Sequence, residues 1–571
     1  MIHKFLKIRK IKANGFALPL IIFVMLILII LSFGETMTNY SVRLQAVNVK
    51  AKTEAMLAAE AGYERAIFQM CQQTDILGWL QAGGGSDVID FGTSTCAYEI
   101  DFIGFLGSRP VFEIKSTGKS GRSTFTRIVD VNVMQETAGW AMGACRVPLS
   151  ATSTQPVYFK NGEIVDMPLH INKFDDNPDV RDIWINTSSG APRFLRRVEM
   201  GESRKTSGGS DKYSGVIPCF EGGIYFDQPN VRITDETAVQ SKVNRFLNAT
   251  APAFIFTPAG TANFGSGTTK YDAVQLEFFV DGNIGKVRIT NDCSVRGRNS
   301  GSYDYKVLPG SGGDIFQQYK IYDYHVKSSS SPVTIVSIND DYSPCYVSQT
   351  FGGYTSQKGG QIFVNGNVVI GGDSNSVIDP SQDGQIVKGR ITVVATGNIW
   401  IADNIKVDGP HVDGKPKDDN PNVLGLIALG VIKVVNPTNN NSPYVPAGQI
   451  YQPIGNSRNP SSSYPGRWLP DPTIVEAAIT VGGGGWGAED VGNRREYSGS
   501  SDVLILNGSI TEVVRGPVGT FNSSTGACTD GYEKNYYIDN RLMTGILPGD
   551  IWFTGKYIPA PAGWHDYGID H

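Results

Sequence analysis

The stretch Gly15–Glu35, GFALPLIIFVMLILIILSFGE, follows directly on MIHKFLKIRKIKAN, residues 1–14. From Phe16 to Phe33 no residue is charged, and only Pro19 and Ser32 interrupt an otherwise apolar run. As a helix rising about 1.5 Å per residue it extends about 27 Å, close to the thickness of a bilayer's hydrocarbon core. Lys4, Lys7, Arg9, Lys10 and Lys12 precede the run with no acid among them, and the first charge after it is Glu35. This asymmetry predicts a single pass, with the N-terminus in the cytoplasm and everything after Glu35 outside. An ordinary secretory signal has a shorter apolar centre and a small-residue cleavage site. Here SFGETMTNYS (32–41) contains no Ala-x-Ala-like site.

Helix-compatible sequence continues without a break through TMTNYSVRLQAVNVKAKTEAMLAAEAGYERAIFQM (36–70). Within it Tyr40, Leu44, Val47, Ala51, Ala55, Ala58, Gly62 and Ala66 recur at steps of three or four, the spacing of one helix face. Most of these residues are small, so the face suits close approach to another backbone, and all eight are expected as packing positions. A helix over Phe16–Met70 would be about 80 Å long.

Two features carry a family resemblance. The basic leader ending in Gly15 with Phe16 opening the apolar helix, KANG-FALPL, resembles the class III signal of type IV pilins and type II secretion pseudopilins. NVKAKTEAMLAAEAGYERA (48–66) is similar to the Ala-Ala-Glu-Ala-Gly helix of large, PilX-type minor pilins. The resemblance implies cleavage by a prepilin peptidase between Gly15 and Phe16 and N-methylation of Phe16. It also implies residence in the inner (cytoplasmic) membrane before assembly and packing with other pilin or pseudopilin subunits in a pilus at the cell surface. One departure is informative. Repeating pilins usually carry Glu at the fifth mature position, and this chain has Leu20 there. An unpaired ammonium in hydrocarbon is costly, so a subunit without that carboxylate is a poor repeating unit, which points to the tip or to priming of assembly.

The composition leans toward β-structure, with 66 Gly, 24 Tyr, 26 Phe and 18% charged residues. Residues 76–135 read as a small antiparallel sheet: CAYEIDFIGF, PVFEIKSTG and STFTRIVDVNVM are strand-length runs, separated by the turns GFLGSR and TGKSGR. A long helix (16–33 in the membrane, 34–75 its continuation) followed by a meander is a pilin-like α+β layout. Beyond it, residues 136–435 show short Val/Ile segments ending in Gly, Asn or Asp, clearest in GGQIFVNGNVVIGG (359–372), GRITVVATGNIWIADNIKV (389–407) and LGLIALGVIKVV (424–435). Such units build either rungs of a parallel β-helix-like solenoid, the preferred reading, or the hairpins of a β-sandwich. PLHIN (168–172), LGLIA (424–428) and GYEKNYYIDNRL (531–542) resemble elements of large minor-pilin bodies. Residues 436–500, rich in Asn, Pro, Ser and Gly, read as exposed loops, and 501–571 as a C-terminal β segment and tail.

The net charge is −5, and 45 basic against 55 acidic residues remain once the leader's five cations are set aside. No nucleic-acid partner is expected of so acidic a surface. Seven scattered Cys show no zinc-ligand spacing; in an extracytoplasmic body they allow one to three incidental disulfides. No phosphate-binding loop, nucleophile elbow or His-Glu-x-x-His motif is present, and the chain is expected to be no enzyme and to need no cofactor. Asp340-Asp341 and the Asp323/His325 pair are the acid candidates a β-helix polysaccharide enzyme would need, and such a membrane-tethered enzyme is the alternative function. An uncleaved anchored envelope protein is the other alternative. Asp175, Asp176 and Asp179 in FDDNPDVRD, and Asp418 and Asp419 in KDDNPNV, are candidate Ca²⁺ oxygen donors, set against plain Asn-Pro turns. A surface or glycan ligand would suit the large body.

Overall fold

The computed structural model describes residues 17–569 apart from 74–75, 107–108, 122–124, 138–146, 149–153, 161, 174–176, 188–189, 229–253, 262–268, 299–304, 309–314, 319, 329–332, 344, 349, 356–357, 372–383, 436–448, 454–471, 483–484, 489–501, 513–514, 517, 523–527 and 545–552. A long N-terminal helix leads into a small head and then into a large all-β body. Helix α1 (Ala17–Gln72) has 56 residues and a length of about 84 Å. Pro19 sits in the first described turn, where its missing N–H breaks no intrahelical bond. Thr36, Thr38 and Thr53 turn their hydroxyls back onto the carbonyls four residues earlier, at 2.7, 2.8 and 3.0 Å.

After the single-turn α2 (Ile76–Gln81) come four strands, β1 (Ser86–Asp90), β2 (Ser94–Leu106), β3 (Arg109–Ser120) and β4 (Thr126–Thr137). They form an antiparallel sheet in chain order, and its fifth strand is the C-terminal segment Phe553–Ile569, paired antiparallel with β4. The expected meander therefore gains a strand at each edge, and 501–571 is not one unit. The body is an insertion between the fourth and fifth strands of the head.

That insertion works because the body returns to where it starts. Its first three rungs are Val157–Phe159, Ile164–Asp166 and Leu169–Ile171; Ile183–Ile185, Arg193–Phe194 and Val198–Met200; then Phe220 and Ile224–Tyr225, each paired parallel with the one before. The chain then passes to the far end of the same sheet at Phe254–Phe256 and winds back through Gly359–Val364, Arg390–Ala395, Val423–Ala428, Thr473–Val481 and Asp502–Glu512 to Cys528–Ile538, all parallel. Cys528–Ile538 pairs with Ile164–Asp166 of the first rung, so entry and exit lie side by side. A second face stacks Thr269–Asp281, Asn367–Ile370, Ile399–Ile401, Ile432–Val434 and Trp486–Ala488 in parallel. Of the two architectures the sequence allows, the stacked solenoid is the one the strand pairing matches, with an antiparallel hairpin (Thr269–Asp281 with Ile284–Arg298) added at one end. Residues 436–500 are not all loop: Thr473–Val481 and Trp486–Ala488 are buried strands of this stack. Buried on both sides, they read as apolar runs rather than alternating ones.

The corners stack as well. Asn367 Oδ1 accepts the N–H of Asn398 at 3.0 Å, and Asn398 Oδ1 accepts the N–H of Val431 at 3.0 Å, one rung to the next. A Cβ on Gly397 would lie 2.4 Å from Asn367 Oδ1 and one on Gly430 2.0 Å from Asn398 Oδ1, so each Asn of the stack sits against a glycine of the next rung. Inside, Phe159, Phe194 and Phe220 form a column with centroids 4.8 Å apart at each step. Cys96, Cys219 and Cys345 are free buried thiols.

The closing seam is held by charge. Lys534 Nζ meets Glu163 Oε1 at 2.6 Å with both groups buried, and Lys160 Nζ meets Glu533 Oε1 at 2.7 Å. Burial pulls the Lys534 ammonium below its ordinary range while Glu163 opposes the shift. Replacing Glu163 with Ala strands that ammonium, and we expect a loss of about 3–5 kcal/mol in thermal or urea unfolding. Because an unpaired buried lysine has a depressed folded pKa, the loss should shrink as pH rises toward about 10.4, which unfolding curves at several pH values check.

Candidate functional site

The helix divides into two halves with different surroundings. Every residue described from Ala17 to Gly34 is exposed, with Leu18, Leu20, Phe23, Leu31 and Phe33 among the large apolar side chains presented to the outside. This half is long and apolar enough to cross a membrane, and none of its apolar window is buried within the protein. Leu20 lies in its first described turn, and no carboxylate occurs before Glu35. Gly15 and Phe16, the expected cleavage pair, lie outside the described residues. Pro19 and Phe33 are both on the exposed half.

The second half sits on the head sheet. Ala51, Ala55, Ala58, Ala59, Gly62, Ala66 and Met70 are buried. Of the expected packing positions, Ala51, Ala55, Ala58, Gly62 and Ala66 are buried against the head, while Tyr40, Leu44 and Val47 are 65%, 50% and 52% exposed. The periodicity continues past the point where the sheet ends, so these three residues have the spacing of a packed face and no buried contact among the described residues. Ala59 and Met70 are additions that the chosen stripe passed over.

The seat is a backbone-to-backbone contact. A Cβ on Gly118 of β3 would lie 2.0 Å from the Ala55 carbonyl oxygen and 2.4 Å from the Ala59 nitrogen; one on Gly62 would lie 2.2 Å from Ser116 Oγ. Only hydrogen side chains at these two positions let helix and strand lie this close. Around the contact Ser120 Oγ donates to Glu54 Oε2 at 3.1 Å, and Lys52 Nζ stands 4.9 Å above the Phe125 ring. Tyr63 meets Trp564 of the C-terminal strand edge-on at 5.2 Å, and burial raises its hydroxyl's pKa. Below, Met70, Ile76, Tyr98, Phe112, Ile114, Val131 and Tyr557 complete the head core. Gln135 Nε2 donates to the buried Tyr557 hydroxyl at 3.0 Å, tying β4 to the last strand a second way.

The body is fixed to this platform beyond its two chain crossings. Hairpin strands Thr350–Phe351 and Tyr354–Thr355 lay two rings against Phe102 of β2, Phe351 at 5.0 Å and 89° and Tyr354 at 5.7 Å and 83°. Arg109, fully buried at the start of β3, donates from Nη2 to the Leu542 carbonyl at 3.0 Å. Leu542 belongs to the short helix Asn540–Thr544, where Asp539 and Arg541 form a buried pair and Arg541 Nη1 donates to the Asn420 and Asn422 carbonyls.

The candidate acids are dispersed. Asp175 and Asp176 lie outside the described residues, while Asp179 accepts the Ser207 N–H at 2.7 Å and its hydroxyl, which hold its carboxyl below the usual range. Asp419 pairs with Lys417 at 2.9 Å, and Asp418 is exposed beside it. In the same turn Asn422 is structural: its amide donates to the Asp408 carbonyl at 2.8 Å and accepts the Gly389 N–H at 2.7 Å. Among the described residues no group of three or more His, Cys, Asp or Glu is placed to hold a metal. Asp340 caps its own turn by accepting the Tyr342 N–H at 3.0 Å, and Asp341 pairs with Lys358. Asp323 and His325 lie on Lys320–Ser328, a strand of the antiparallel hairpin sheet.

No protein-family model matches the chain, and no curated protein matches it. Among solved structures it is similar to the crystal structure of the competence-associated pilin ComZ from Thermus thermophilus, at 12% identity over 91% of this chain and 98% of that one, with a TM-score of 0.22.

The seat is directly testable. Gly118→Val forces a branched side chain into the Ala55 carbonyl, and overpacking of this kind costs about 1–3 kcal/mol. We expect a lower melting temperature together with protease sensitivity in the 51–72 segment; an unchanged melt with the segment still protected would contradict the close contact.

Proposed function

We propose that the chain is a minor, pilin-like structural subunit of a type IV pilus or related pseudopilus, non-enzymatic, processed after Gly15 and N-methylated at Phe16. The observation that carries the reading is the division of one continuous helix into a naked apolar half and a half locked by Gly62 and Gly118 onto a small antiparallel sheet. A plain anchor needs a span but no rigid continuation into a folded head. A polymerising subunit needs both, because the exposed half must keep its orientation to the head when it leaves lipid for contacts with neighbouring helices. Exposed Tyr40, Leu44 and Val47 extend the apolar surface past the membrane, where other subunits would cover them.

Leu20 supports a position for this subunit at the tip or in the priming complex. It brings no carboxylate to the first turns of the helix, so it cannot neutralise the terminal ammonium of a neighbour. The inserted body, joined to the head by two crossings and an aromatic clamp, then faces outward as an adhesive or substrate-contacting surface.

Mass spectrometry of the chain from native membranes tests the processing. The reading predicts an N-terminus at methylated Phe16 and loss of processing with Gly15→Val; an intact MIHKF start would remove it. Gold-labelled body on isolated filaments should be found at fibre ends, and labels spread evenly along fibres would remove the tip assignment.

A further inference from the structure

The outer face of the first two rungs carries two aromatic side chains that the fold does not use. In Val157–Phe159 and Ile183–Ile185 the flanking residues point into the core and the middle one points out. The middle residues are Tyr158 and Trp184, directly opposite one another in the parallel pair. Both are 46% exposed, and their ring centroids lie 6.3 Å apart with planes tilted by 43°. Neither the Tyr158 hydroxyl nor the Trp184 indole N–H has a hydrogen-bond partner among the described residues.

A guanidinium completes the group. Arg181 lies 5.4 Å from the Trp184 ring centroid and 5.7 Å from that of buried Tyr213, and it pairs with no carboxylate among the described residues. The other arginines of these rungs are engaged: Arg193 with Glu221, Arg196 with Asp166 and Arg197 with Glu199. Arg181 is thus held by ring contacts while its donors remain available.

We propose that Tyr158, Trp184 and Arg181 form a binding shelf for an acidic saccharide, a glycan bearing carboxylates. The C–H face of a sugar ring is apolar and lies flat on an aromatic face, while its hydroxyls reach the phenol and indole polar edges. A guanidinium presents a planar fork that matches a carboxylate, and stacking on an indole pre-orients it. The shelf gives the body's outward surface a chemical target, and this assignment rests on the reading of the body as a presented surface. A nucleic-acid strand fits less well, since stacking must be joined by several phosphate contacts, and among the described arginines of these rungs Arg193, Arg196 and Arg197 are already paired with carboxylates.

Calorimetric titration of the full-length chain in detergent tests the shelf with three probes: oligogalacturonate, its methyl ester and oligothymidylate. Oligogalacturonate should bind more tightly than the uncharged ester. Trp184→Ala and, independently, Tyr158→Ala should each weaken it by about tenfold or more at an unchanged melting temperature. Arg181→Gln should abolish the preference for acid over ester. Absence of binding at millimolar oligogalacturonate, affinity unchanged in both aromatic variants, or tighter binding of oligothymidylate lost in the same variants would each overturn the proposal. None of these results alters the Phe16 terminus, so failure of the shelf and failure of the pilin-like reading are separable.

Discussion

The contact on which the rest depends is the approach of the α1 backbone to β3 at Gly118. A helix that packs through Leu or Phe sits about 10 Å from its partner and can rock on flexible side chains. Here Ala55 and Ala59 meet a strand glycine with no room for a methyl group, so the position and rotation of the helix are set by backbone. That rigidity extends to the exposed half because the helix is unbroken: after Pro19 it contains no proline, and Gly34 and Gly62 are its only glycines. The direction in which Leu44 or Val47 faces is therefore fixed by a contact made further along the same helix.

The same sheet solves the problem of carrying a body several times its own size. A long insertion is tolerated when its two ends emerge together, and here they do because Ile164–Asp166 pairs with Asn535–Tyr537. The solenoid is wound in two directions from that seam, three rungs one way and the long return from the far end. The C-terminal strand Phe553–Ile569 then closes the head beside β4 and brings Trp564 and Tyr557 to the helix side. Head and body are consequently interdependent: the head's core is incomplete until the last strand of the chain is made.

Much of this was legible in the sequence where one pattern dominated. Charge asymmetry and an unbroken apolar run gave the projecting helix, the strand-length run STFTRIVDVNVM gave β4, and short Val/Ile segments ending in Gly, Asn or Asp gave the rungs between 359 and 435. Other parts were hidden for identifiable reasons. Phe553–Ile569 contains Pro559, Pro561 and Gly563, which argue against a strand except at an edge, and an edge is where it lies. Ser86–Asp90 is a polar edge strand with hardly any buried face. The first three rungs have strands of two or three residues, too short to show a period. Gly118 read as the start of a turn because an isolated glycine weakens a strand pattern, yet it is the residue that seats the helix. Tyr40, Leu44 and Val47 show the converse: periodicity records which face is apolar, not how far its partner reaches.

The central claim is that the exposed and seated parts of one helix have different partners, other subunits for the first and the chain's own head for the second. A photo-crosslinking amino acid placed at Leu44, and separately at Ala58, in the full chain in native membranes and filaments tests it most directly. The account predicts adducts from position 44 to another helical subunit and adducts from position 58 only within the chain. Adducts from position 44 to lipid or to its own body alone, in preparations containing filaments, would contradict it.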